Sequence, residues 1–109
     1  MDSLSLTLGA LADPTRRAIL ARLADGDASV AELATPFNMS VRAVSKHVAV
    51  LEKAGLVTRS RDAQRRLSTL RLDPLTDLDQ WLAAYRRIWE ERHDNIAALL
   101  RTVQDGKAS

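Results

Sequence analysis

The sequence has 109 residues, 46% hydrophobic and 28% charged, with only three prolines and four glycines, which suits one ordinary folded domain and not a disordered tail. It has no cysteine, which removes disulfides, thiolate metal centres and cysteine nucleophiles, and no apolar run nears the roughly 20 residues of a membrane span. The net charge is only +2, yet Ser40 to Leu72 carries eight basic residues against Glu52 and Asp62, a local excess of six that leaves −4 for the remainder. Such a block is what a phosphate backbone attracts, and a solvated charged face is the plainer alternative. The start Met1-Asp2-Ser3 has no basic stretch leading into an apolar segment, so no secretory signal and no membrane partner are expected, and the expected location is cytoplasmic.

Leu4, Leu8 and Leu11 recur at helical spacing and predict a first helix over about 3–12. Asp13-Pro14 restarts the chain: the aspartate accepts free N–H groups of a second helix, and the proline fits its first turn. Ile19, Leu20 and Leu23 give that helix a buried side, and Gly26 ends it. Ser29 with Glu32 forms a capping box for a short third helix that turns Val30, Leu33 and Ala34 inward. Pro36-Phe37-Asn38-Met39 interrupts it, and Ser40 caps a fourth helix from Val41 to about Ala54, stopped by Gly55. On this fourth helix Val44, Val48 and Leu51 share one face, and Arg42, Ala43, Ser45, Lys46 and Ala49 the other.

Alternation then replaces the helical period over 56–72, with a polar tip at Asp62-Ala63-Gln64, and predicts a β-hairpin. After Asp73-Pro74 a long helix runs from Leu75 to about Val103, followed by a loose tail at 104–109. The expected fold is mainly α with one β-hairpin, about five helices in the order α-α-α-α-β-β-α, as a single domain over 1–109. Two capped helices across a short turn (30–54), followed by a basic hairpin (56–72), have the layout of a winged helix-turn-helix. The second helix of such a motif enters the major groove, where each base pair displays its own donor and acceptor pattern. Arg42 suits guanine O6 and N7, Lys46 a base or phosphate, and Ser45 a close approach.

Three stretches carry a family resemblance: Leu11-Ala12-Asp13-Pro14-Thr15-Arg16-Arg17-Ala18-Ile19-Leu20, Ser29-Val30-Ala31-Glu32-Leu33-Ala34, and Met39-Ser40 through Val44-Ser45-Lys46-His47-Val48 to Leu51-Glu52-Lys53-Ala54-Gly55-Leu56-Val57. With these the chain resembles the ArsR family of bacterial winged-helix repressors over nearly its whole length. The resemblance implies a homodimer that binds a palindromic double-stranded DNA operator and represses transcription. It implies DNA-reading positions at Ser40, Val41, Arg42, Ser45, Lys46 and His47, and wing arginines Arg59, Arg61, Arg65 and Arg66 on flanking phosphates or in the minor groove. His47 stands at the margin of the exposed and buried faces and could face either DNA or the interior. The chain departs from the metal-sensing members: Glu32-Leu33-Ala34 stands where their paired cysteines lie, and the last helix offers only His93 beside Asp94, which point about 100° apart. No metal and no cofactor are therefore expected, and the wing tip lacks the glycine often found there.

Trp81, Tyr85 and Trp89 lie four residues apart, and Leu78, Leu82, Ile88 and Ile96 widen that face, as do Leu99, Leu100 and Val103. Together with Leu4, Leu8 and Leu11 of the first helix they are expected to form a dimer interface across 3–12 and 75–103. An aromatic pocket for a small organic effector is the alternative. An enzyme is not expected, since the two histidines lie on different elements and no phosphate loop or nucleophile elbow is present. A winged helix used for protein contact would call for an acidic or apolar recognition helix, unlike this one.

Overall fold

The computed structural model describes residues 1–60 and 66–108. In chain order the elements are α1 (Ser3–Leu11), α2 (Pro14–Leu23), β1 (Ala28–Ser29), α3 (Val30–Ala34), α4 (Val41–Lys53), β2 (Val57–Arg59), β3 (Leu67–Leu70) and α5 (Asp73–Ala108). The chain divides into two units, Met1–Leu78 and Asp79–Ser109.

In the first unit, helix ends are fixed where the sequence supplies caps. The Asp13 carboxylate accepts the Arg16 N–H at 3.0 Å with Pro14 in the first turn, and Ser40 Oγ accepts the Ala43 N–H at 3.1 Å. Ser29 and Glu32 form the reciprocal capping box. α4 ends in a Schellman motif: Gly55 N–H bonds the Glu52 carbonyl, Leu56 N–H bonds the Leu51 carbonyl, and Gly55 takes φ +79°. This turn drops the chain from α4 straight into β2.

The core lies where helical periodicity puts it. Ile19, Leu20 and Leu23 of α2, Leu33 of α3, and Val44, Val48 and Leu51 of α4 are buried against Ala28, Leu56 and Val57. Each such side chain contributes about 1.5–3 kcal/mol on leaving water. α1 departs from its leucine stripe: Thr7 and Ala10 are its buried residues, Leu4 and Leu11 are half-buried, and Leu8 is exposed. The small pair packs inward because the Thr7 hydroxyl donates to the Ser3 carbonyl at 3.0 Å and enters the core already satisfied.

The hairpin belongs to a three-stranded antiparallel sheet in the order β1-β3-β2, so a two-residue strand absent from the expected element order lies on its edge. β1 pairs Ala28 with Ser68 and Ser29 with Leu67, while β2 pairs Val57, Thr58 and Arg59 with Leu70, Thr69 and Ser68. Ser68 is buried between Ala28 and Arg59, where a larger side chain would crowd three strands. α5 begins two residues before the expected Leu75, because Asp73-Pro74 form its first turn and Thr76 N–H reaches the Leu72 carbonyl at 2.9 Å. The helix also continues past Val103 to Ala108, where a loose tail is expected from composition.

In the second unit, all residues of α5 from Asp79 to Asp105 are exposed except the half-buried Ala97. Arg86 closes a local clasp there, pairing with the Asp79 carboxylate at 2.9 Å and bonding the Asp79 carbonyl.

Candidate nucleic-acid interface

The cations of the first unit fall into two classes. Arg16 donates to the Ala10 and Gly9 carbonyls at 2.7 and 3.0 Å, and Arg17 to the Leu11 carbonyl at 2.7 Å. These carbonyls end α1, where Gly9 accepts a 3.3 Å bond from the Ala12 N–H and the last ones, Ala10 and Leu11, lie beyond the helical ladder, so the two arginines close its C-terminus and complement its dipole. Arg22 serves the Gly26 carbonyl and faces Glu32, and Arg71 pairs with Asp73 at 3.7 Å. Arg42, Lys46, Lys53 and Arg66 form no ion pair among the described residues of this unit.

Arg42 and Lys46 project from the exposed face of α4 with Val41, Ser45 and Ala49, the face opposite buried Val44, Val48 and Leu51. A shallow groove runs along them, lined also by Val30 and Arg59. A second cleft shares Val30, Ser45 and Arg59 and continues to Ser29, Glu32, Leu67 and Arg66 at the wing. The two together trace a path from the recognition face of α4 to the wing, with an uncommitted cation at each end. Arg61 and Arg65, expected as wing contacts, lie outside the described residues, as does the tip at 62–64.

Ser40 is exposed, with its hydroxyl engaged in the α4 cap. Val41, half exposed at 51%, stands in the first turn, where an apolar side chain can meet a thymine methyl. His47 faces the first unit's interior side: its Nδ1 lies 3.4 Å from Arg16 Nη1 and 3.9 Å from Asp13 Oδ2. The Arg16 backbone N–H holds the Asp13 carboxyl below its ordinary range, and the charges of His47 and Arg16 add to the effect. Arg59 is half-buried and turned to α4, donating from Nη2 to the Ser45 carbonyl at 3.0 Å.

Residue-type reasoning misses the bonding of Arg16, Arg17 and Arg59, because it treats arginine as a partner for acids or phosphates. The available signal is a tally of acceptors: α1 ends a few residues before two arginines, and its last carbonyls need donors.

Of the residues expected at a dimer contact, Trp81, Leu82, Tyr85, Ile88, Trp89 and Ile96 are exposed on α5, and Leu78 is half-buried. Trp81 and Tyr85 rings approach to 5.1 Å, and Trp89 stacks on His93 at 5.1 Å and 8°. No helix among the described residues is long and apolar enough to cross a membrane, and no group of three metal-ligating side chains converges there.

Residues 11–60 match the profile of a helix-turn-helix domain. The HTH-type transcriptional regulator Rv2034 of Mycobacterium tuberculosis is 41% identical, with 79% of this chain and 88% of that protein covered. The solved structure of an ArsR family transcriptional regulator, RHA00566, superposes with a TM-score of 0.75 at 39% identity, covering 82% of this chain and 98% of that one. The homodimeric winged helix-turn-helix DNA-binding domain of Mb0332 from Mycobacterium bovis, described as a possible ArsR-family regulator, gives a TM-score of 0.61 at 26% identity, covering 86% and 84%.

Proposed function

The chain belongs to the ArsR family of winged helix-turn-helix transcriptional regulators, and from that premise we propose that it binds an imperfectly palindromic operator as a homodimer and represses transcription by occupying it. The observation that carries this reading is the set of cations without ion pairs among the described residues: Arg42 and Lys46 on the outer face of α4 and Arg66 at the wing, joined by continuous grooves. Charged side chains left without protein partners along one path are a footprint for a polyanion. α4 enters the major groove. Arg42 bonds guanine O6 and N7, Val41 meets a thymine methyl, Ser45 permits close approach, and Lys46 reaches a base or phosphate. Ser40 brings the N-terminus of α4 to a phosphate, and Arg66 neutralises a flanking one.

Two recognition helices related by a two-fold axis sit about 34 Å apart, so half-sites one helical turn apart are expected. The test is titration against an operator selected from random duplexes and against its scrambled counterpart, at several salt concentrations. Arg42→Ala should lose about 1–3 kcal/mol per half-site on the operator and flatten discrimination at one base position. Arg66→Ala should weaken both duplexes alike and reduce the salt slope by about one for each phosphate it no longer neutralises. Equal loss on both duplexes for Arg42→Ala would make its role electrostatic. A wild-type protein with no preference for any duplex would overturn sequence-specific binding.

A further inference from the structure

Arg59 ends β2 and lies opposite Ser68 of β3, but its guanidinium leaves the sheet and reaches back along α4. Nη2 donates to the carbonyl of Ser45, in the middle of the helix, and Nε, a buried atom without a hydrogen-bond partner, faces Glu52 Oε2 at 4.0 Å. Ser45, Ala49 and Glu52 form one stripe of α4 at intervals of four and three residues, so Arg59 lies against the edge of the face that carries Arg42 and Lys46. A helical carbonyl has a second lone pair after its intrahelical bond, and Arg59 uses that of Ser45.

We infer that Arg59 is a positioning residue for sequence recognition, fixing the rotation of α4 against the wing strand instead of neutralising a phosphate. Three features of its surroundings favour this role. Its Nε–Nη2 edge is already directed at α4, it is half-buried where Arg42 and Arg66 are exposed, and with Val30 and Ser45 it lines both grooves. A helix that reads bases must be placed to within about 0.5 Å, and a planar fork holds such a register where a flexible ammonium does not.

The inference rests on the DNA-binding reading, and its test has one arm without DNA. In the free protein, amide exchange across residues 44–53 should quicken in both Arg59→Lys and Arg59→Gln, while residues 19–23 of α2 keep their wild-type protection. In titrations, both variants should lower the operator-to-scrambled affinity ratio by about tenfold with the salt slope unchanged, and lysine should not rescue glutamine. Wild-type exchange in α4 would overturn the inference, as would equal quickening in α2 and α4. So would a wild-type affinity ratio in Arg59→Lys with a lowered salt slope in Arg59→Gln, the signature of a phosphate contact. Should wild-type protein show no duplex preference, the DNA reading falls, and the exchange arm still decides whether Arg59 holds α4.

Discussion

Asp13 joins three parts of the first unit. Its carboxylate caps α2 through the Arg16 N–H, lies 3.9 Å from His47 of α4, and shares both with an arginine that closes α1. The Arg16 N–H, with smaller contributions from His47 and Arg16 charge, holds its pKa below the ordinary 3.8. A carboxyl whose pKa is depressed by folding stabilises the native state above its unfolded value, and that contribution disappears as pH falls through the folded value. Urea midpoints of the wild type should therefore drop as the pH is lowered below about 4, and Asp13→Asn should show a shallower drop over the same window. Parallel profiles would remove Asp13 from the acid response. At neutral pH, Asp13→Ala should lower the urea midpoint, because it removes the N-cap of α2. The sequence announces Asp13 as a cap, since aspartate before proline has few other uses at a helix start. It does not announce the His47 contact, which arises only when α4 packs across the α1–α2 junction and joins residues far apart in the chain.

At the scale of elements, Gly55 sets how α4 meets the sheet. Its φ of +79° is costly for any residue with a Cβ, and a Cβ there would stand 3.4 Å from Pro74 Cγ, so strain adds to an ordinary van der Waals contact. Gly55→Ala should destabilise the protein by about 1–2 kcal/mol, and thermal unfolding should fall by several degrees. An unchanged midpoint would mean that the turn relaxes without the left-handed conformation. Helix boundaries of this kind are legible in the sequence because caps and glycine stops act within four residues of themselves, and the α2, α3 and α4 core faces follow from periodicity. β1 is not legible: it is two residues long, and Ser29 serves both as its last residue and as the cap of α3, so the capping signal hides the pairing with β3. The end of α5 is misread from sequence because Gln104-Asp105-Gly106 resembles a frayed terminus, whereas the helical hydrogen bonding continues through it.

At the scale of the whole molecule, the question is what the exposed apolar side of α5 meets. Most of the stability of a protein helix comes from packing its apolar face, yet Trp89, Ile96, Leu99 and Leu100 are each about three-fifths exposed in the single chain. Leu82, Trp89, Ile96 and Val103 recur every seven residues, with Tyr85 and Leu99 three further on from Leu82 and Ile96, which is the repeat of a seam that packs against another helix. Arg92 takes the corresponding place after Trp89, so the seam is weakest there and tolerates little further polarity. A second copy of the chain offers the same seam, and a two-fold contact buries it twice. The same burial is proposed separately for Leu4, Leu8 and Leu11 of α1. Light scattering at micromolar concentration should give twice the mass of the chain. Trp89→Glu should shift that mass to the monomer and lower helical circular dichroism, because the freed seam loses what stabilises it. Arg101→Glu, a change on the same helix that leaves the seven-residue repeat intact, should do neither. A wild-type monomer would refute the homodimer. A dimer that survives Trp89→Glu would move the interface off this seam, whereas a Trp89→Glu monomer should bind the operator more weakly than the Arg101→Glu dimer, because it lacks the second half-site contact.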